Sequence, residues 1–187
     1  PETLIDIVEI DEGIPGIAEE FFSFKKDDRM RLQIADGREY ANRCDKKYDA
    51  VFIDAYTADR IPFQLTTLEF FRKIHGILNS GGVMTANIAK LTGDEFVRAE
   101  LKTVMEVFPG MKVFANEART SYIVFAVKDG APDIAALEKN IAAGNYGKLG
   151  FEMKDLMPSL MPDKDLREYI GDAAVLTDDY APVETMK

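Results

Sequence analysis

Short apolar runs alternating with stretches of helical period constrain this chain more than any other feature of its sequence. The runs "LIDIVEI" (4–10), "MRLQIA" (30–35), "YDAVFID" (48–54) and "GGVMTANIA" (81–89) have strand length. Between them apolar residues recur at three- and four-residue intervals. A helix between successive strands returns the chain to the same end of the sheet, so neighbouring strands run parallel. The expected fold class is therefore α/β, an open, mostly parallel sheet. The stretch "KVFANEARTSYIVFAVK" (112–128) reads instead as two strands joined by a polar turn, an antiparallel hairpin that closes the sheet.

Two helices show their ends. "TTLEFFRKIHGILNSGG" is expected to start at Thr66, with Glu69 at capping-box spacing, and to stop at Gly81-Gly82. Phe70, Phe71, Ile74, Ile77 and Leu78 would form its buried face. "GDEFVRAELKTVMEVFPG" offers Asp94 as a cap and turns Phe96, Val97, Leu101, Val104, Met105 and Phe108 inward. Residues 1–130 are expected to form one Rossmann-like domain, and 131–187 a helical extension packed on it. The chain enters its first strand within a few residues of Pro1, so a strand is expected to be missing upstream. The resulting gap in the sheet predicts either a tendency to aggregate or pairing with another copy as a homo-oligomer.

Composition removes several function classes. The 187 residues, 47% hydrophobic and 30% charged, suit one sizeable core, and no run of about 20 apolar residues is present to span a membrane. A net charge of −10 disfavours nucleic acid and anionic lipid as partners. It suits a cationic small-molecule ligand such as an amine, or simply a solvated acidic surface. The single cysteine, Cys44, allows no internal disulfide and no thiolate metal site, which fits a reducing, cytoplasmic setting. The lone His75 lies in the apolar-periodic "FFRKIHGIL" and reads as a helix-surface or packing residue rather than a general base. No catalytic Ser-His-Asp set, zinc pattern or Walker loop can be assembled, so no metal is expected.

The candidate chemistry lies at strand ends. In doubly wound sheets ligands bind beyond the carboxyl ends of the strands, and three of the strands end there in acids: Glu9 in "IVEID", Asp36 in "IADGR" and Asp54 in "FIDAY". A carboxylate's two oxygens can accept both hydroxyls of a ribose, which suits Glu9. Ile10 could lie against an adenine face. Asp36, followed by the permissive Gly37, could accept the adenine amino hydrogens. Asp11 reads as support for the following turn, and Asp59-Arg60 as a solvated pair.

These motifs, "DIVEIDEGIPGIAEEFF", "RMRLQIADGREY", "KKYDAVFIDAY", "PFQLTTLEFFRKIHGILNSGGVM" and the terminal "LTDDYAPVE", resemble those of the spermidine synthase-like proteins. These are polyamine aminopropyltransferases on the class I S-adenosylmethionine methyltransferase fold. The resemblance implies that Glu9 holds ribose, Ile10 packs on adenine, and Asp36 with Gly37 reads the adenine edge. Pro62 and Leu65 match the apolar residues on the other adenine face. Asp54 matches the acid that deprotonates the attacking amine, and Tyr56 could orient that amine through its hydroxyl or merely pack. Decarboxylated S-adenosylmethionine or S-adenosylmethionine would be the donor. The family's Asp-Ser…Asp-Pro pattern is replaced here by "DAYTADRIP", and its Gly-rich loop before the first strand is not in the sequence. Aminopropyl transfer to a polyamine leads; methyl transfer to a small molecule, or a noncatalytic α/β module, are the alternatives. Asp178, Asp179 and Tyr180 read as an acidic lip over the site or as a surface turn.

Overall fold

A computed structural model describes residues 2–56, 62–90, 93–144 and 152–180. Two compact units divide at Asp45/Lys46.

The first unit contains β1 (Ile5–Glu9), α1 (Ile14–Phe21), β2 (Met30–Ile34) and α2 (Gly37–Arg43). β1 and β2 pair in parallel, from Ile5 opposite Met30 to Glu9 opposite Ile34. Pro15 suits the first turn of α1, where its missing N–H would have had no helical partner. Of the described residues in this unit only Ala41 is buried, while Leu4, Ile10, Phe21 and Phe22 are more than half exposed.

The second unit contains β3 (Tyr48–Ile53), α3 (Leu68–Ile77), β4 (Leu78–Ala89), α4 (Asp94–Val107), β5 (Lys112–Ala115), β6 (Ser121–Val127), α5 (Ile134–Ala143) and α6 (Asp163–Ile170). Its strand order is β3-β4-β6-β5. β3 and β4 run parallel, and β6 is antiparallel to both β4 and β5. The parallel strands and the closing hairpin are those the sequence pattern predicts. The core lies between the sheet and helices α3 and α4: Phe71, Leu78, Met84, Ile88, Leu101, Val104 and Tyr122 are sealed from solvent. His75 packs as expected, its ring 5.4 Å from that of Phe108 and its Nε2 3.3 Å from Asp129.

The structure corrects several boundaries. The cap of α3 is Thr67, whose hydroxyl accepts from Phe70 N at 3.3 Å. Thr66 is instead occupied with closing the 3₁₀ turn Phe63–Leu65, its hydroxyl donating to Phe63 O at 2.8 Å. Nor does α3 run to the glycines, because Leu78 is already extended and opposite Tyr48. The register shift that follows is a bulge, and Gly81, at φ +71°, occupies the left-handed region it needs. Gly93 rather than Asp94 caps α4, and Met105 is only partly buried.

Past α6, the segment ending at Tyr180 is fastened to both helices. Leu176 is fully buried; its N–H donates to the Thr103 hydroxyl and its carbonyl accepts from Leu68 N, each at 2.8 Å. Thr67 donates to Asp178 Oδ1 at 2.6 Å, and Asp178 N donates to Glu69 Oε2 at 3.0 Å. Glu69 therefore grips this segment. Thr177 and Tyr180 exchange main-chain bonds, so "TDDY" is a tight turn anchored to the start of α3.

Candidate active site

Asp54 is the first residue beyond β3, at the carboxyl edge of the sheet, with its side chain exposed. The neighbouring strand holds it: Asn87 Nδ2 donates to Asp54 Oδ1 at 3.0 Å. Ser121 Oγ in turn donates to Asn87 Oδ1 at 3.2 Å, which fixes the amide so that its NH₂ faces the acid. The carboxylate is thus oriented by a neutral donor.

Two residues on, the Tyr56 hydroxyl donates to the main-chain carbonyl of Asn87 and accepts from Ala89 N at 2.9 Å. Burial pushes its phenol up to about 12; Glu100 and Asp54 nearby add to the shift, while the Ala89 N–H opposes it. With its donor and one acceptor site taken by β4, Tyr56 braces the segment that carries Asp54.

Pro62 precedes and Leu65 ends the short 3₁₀ turn Phe63–Leu65, with Leu65 N bonded to Pro62 O at 2.9 Å; both are half-buried. Asp59 and Arg60 lie outside the described residues.

The remaining candidates belong to the first unit. Glu9 ends β1 and Asp36 follows β2, so both acids stand at the same end of that parallel pair, and Ala35 N bonds to Glu9 O at 2.9 Å. Glu9 Oε1 accepts from Asp11 N at 2.9 Å, and Asp11 accepts from Gly13 N at 2.7 Å, the turn-supporting role expected of it. Asp36 caps α2, accepting from Arg38 N at 2.7 Å and Glu39 N at 3.1 Å, with Gly37 as the first helical residue. Ile10, directly after Glu9, is 67% exposed.

Sequence reasoning missed two residues. Asn87 sits in the apolar run "GGVMTANIA", where a lone amide was the available signal. Glu100 lies four residues from both Phe96 and Val104, an acid on the apolar stripe of α4, and is only 5% exposed. Burial pushes its carboxyl up to about 8, and its Oε2 has no hydrogen-bond partner among the described residues. Among the described residues no cluster of metal-ligating side chains occurs, and no helix is long and apolar enough to cross a membrane.

The spermine/spermidine synthase domain model matches residues 2–135. The polyamine aminopropyltransferase of Vibrio vulnificus is 30% identical over the whole chain, which covers 63% of that protein. The chain thus spans less than two thirds of this relative, and 44% of a probable polyamine aminopropyl transferase from Bifidobacterium longum that is also 30% identical. Among solved structures, spermidine synthase in complex with the transition-state analogue AdoDATO superimposes with a TM-score of 0.72 at 18% identity, over 90% of this chain and 59% of that one. Human methyltransferase-like protein 13 in complex with SAH gives 0.62 at 21%, over 98% and 78%. Both show the Rossmann-like methyltransferase fold. With the domain match extending over most of its length, the chain belongs to the spermine/spermidine synthase family.

Proposed function

We propose that this protein transfers an aminopropyl group from decarboxylated S-adenosylmethionine to a polyamine, with Asp54 as the base. The observation that carries the reading is the placement of Asp54: an exposed carboxylate just beyond a parallel strand, oriented by Asn87. Ionised amines have no free lone pair, so the acceptor nitrogen must lose a proton to become a nucleophile. A carboxylate attracts the ammonium ion and then takes that proton. The nitrogen lone pair forms the new C–N bond at the carbon next to the sulfonium. The C–S bond breaks, its electron pair stays on sulfur, and neutral methylthioadenosine leaves.

On the donor side, Glu9 suits the ribose hydroxyls, Asp36 with Gly37 the adenine edge, and Ile10 an adenine face. The two acids at one end of the β1–β2 pair and the exposed Ile10 support that assignment within the first unit. Tyr56 is assigned a bracing role.

Asp54→Asn tests the reading, with turnover of decarboxylated S-adenosylmethionine and 1,4-diaminobutane as readout. Turnover should fall about 10²–10⁴-fold, the scale of losing a general base, with methylthioadenosine affinity nearly unchanged. Full activity of that variant would reject the mechanism. Methyl transfer from S-adenosylmethionine by the wild type would instead promote methyltransferase chemistry on the same fold.

A further inference from the structure

The second unit has a cavity of about 230 Å³ where the end of α4, the start of β5 and the start of α6 meet. β5 runs in the same direction as β3, because β4 is parallel to β3 and β6 is antiparallel to both β4 and β5. The cavity, at the start of β5, and Asp54, just past the end of β3, therefore stand at opposite ends of the sheet. The cavity floor is apolar: Met111 and Leu166 are buried and Met105 is half-buried. One wall is closely packed main chain, since a Cβ at Gly110 would lie 2.6 Å from Gly130 O, so no side chain can fill the hollow from that position. The charges at the mouth do not cancel. Asp163 and Arg167 lie one turn apart on α6, the spacing at which an acid and a base ordinarily pair. Here Lys112, its side chain only 19% exposed, takes the acid instead, with Nζ 2.7 Å from both Asp163 oxygens. Arg167 also lines the cavity, and its guanidinium has no ion pair or hydrogen bond among the described residues.

We propose that this cavity is a binding site for a small monocarboxylate with a compact hydrocarbon body, its carboxylate on Arg167 and its body on Met105, Met111 and Leu166. The inference stands independently of the aminopropyl-transfer reading and gives the second unit a second ligand site. Size limits the ligand: drug-sized molecules occupy about 300–1,000 Å³, more than is present here. At about 30 Å³ per water molecule of the liquid, the space suits a body of roughly eight heavy atoms. An apolar body restores the contacts that an empty floor lacks, and two flexible thioethers can mould to its shape. Charge limits the ligand further. Lys112, Asp163 and Arg167 together carry a single positive charge, which matches a monoanion. The planar guanidinium can give two parallel hydrogen bonds to a carboxylate. A phosphate dianion would meet the Asp163 carboxylate and leave the apolar floor bare.

The experiment is a titration of the full chain at pH 7, followed by the NMR signals of its backbone N–H groups. The probes are 4-methylpentanoate, its neutral counterpart 4-methylpentanamide and inorganic phosphate, with wild type, Arg167→Gln and Arg167→Lys. Arg167 is exposed, so both variants should fold as the wild type does. In the wild type 4-methylpentanoate should shift the Met111, Lys112 and Leu166 signals saturably, with a Kd of about 1 mM, the scale for so small a ligand. The neutral counterpart should bind about 10-fold more weakly, for want of the charged contact. Arg167→Gln should weaken 4-methylpentanoate binding by the same factor and abolish the preference for it, whereas Arg167→Lys should retain part of that preference. The absence of saturable shifts at these signals overturns the inference. So does equal binding of the neutral counterpart to the wild type, or unchanged 4-methylpentanoate affinity in Arg167→Gln. Phosphate binding at the same signals as tightly as 4-methylpentanoate would overturn the role given to the apolar floor, and with it the proposed ligand.

Discussion

At the scale of single residues, the candidate site depends on side chains that hold other side chains. Asn87 touches both Asp54 and, through its own oxygen, Ser121. Asn87→Ala should reduce turnover less than Asp54→Asn, roughly 10-fold, because the base stays while its orientation is lost; a kcat fall with little change in KM would show this. On the donor side, Glu9→Gln should weaken methylthioadenosine binding by about 1–3 kcal/mol, and unchanged affinity would remove Glu9 as the ribose ligand. Glu100 leads to a separate expectation for stability. Its folded pKa of about 8 lies above the unfolded value near 4.5, so the folded state holds an extra proton between them. The stabilisation is complete below about pH 4.5 and declines as pH rises towards 8, by about 1.4 kcal/mol per unit at the steepest. Urea unfolding at pH 5 and pH 8 should show this slope in the wild type and a flatter one in Glu100→Gln.

Elements explain what the sequence reveals and what it conceals. Strands β1 to β6 follow the apolar runs because the residue pattern that favours a strand is local to the sequence. Asp54 could be found because it ends such a run. Asn87 and Glu100 were hidden because periodicity treats a polar residue among apolar ones as noise, and only packing shows what it meets. The shift from Thr66 to Thr67 had a different cause: two adjacent threonines are equal candidates until the preceding 3₁₀ turn engages the first. Likewise the glycine pair resembles a helix stop until strand pairing opposite Tyr48 makes it a bulge. The same reasoning yields a test of the terminal segment, whose hold on α3 and α4 depends on Leu176, Thr67 and Asp178. Leu176→Ala should destabilise the protein by about 2–5 kcal/mol by thermal unfolding, the range for truncating a sealed leucine. A change below ~1 kcal/mol would mean that the segment is peripheral to folding.

For the whole molecule, burial is unevenly shared. In the first unit only Ala41 among the described residues is sealed, whereas the second unit carries a continuous set from Phe71 to Leu176. A unit with so little interior cannot offset the entropy of ordering its chain. Residues 46–187 expressed alone should therefore unfold cooperatively in urea, whereas 1–45 alone should show no transition; a cooperative transition in the shorter piece would contradict this. The order of the second unit extends to its last parallel pair, where β3 stops at Ile53 opposite Ala86. Had β3 continued, its next residues would have met the carbonyl of Asn87 and the N–H of Ala89, which the Tyr56 hydroxyl now occupies. The phenol gives one hydrogen and takes one, as a peptide would, and so serves as a surrogate rung. The main chain can thereby turn away from the sheet without leaving β4 unsatisfied. Phenylalanine at position 56 would keep the ring but strip out that rung, so the Ala89 amide should exchange its hydrogen with solvent much faster while the amides deeper in β4 keep their protection.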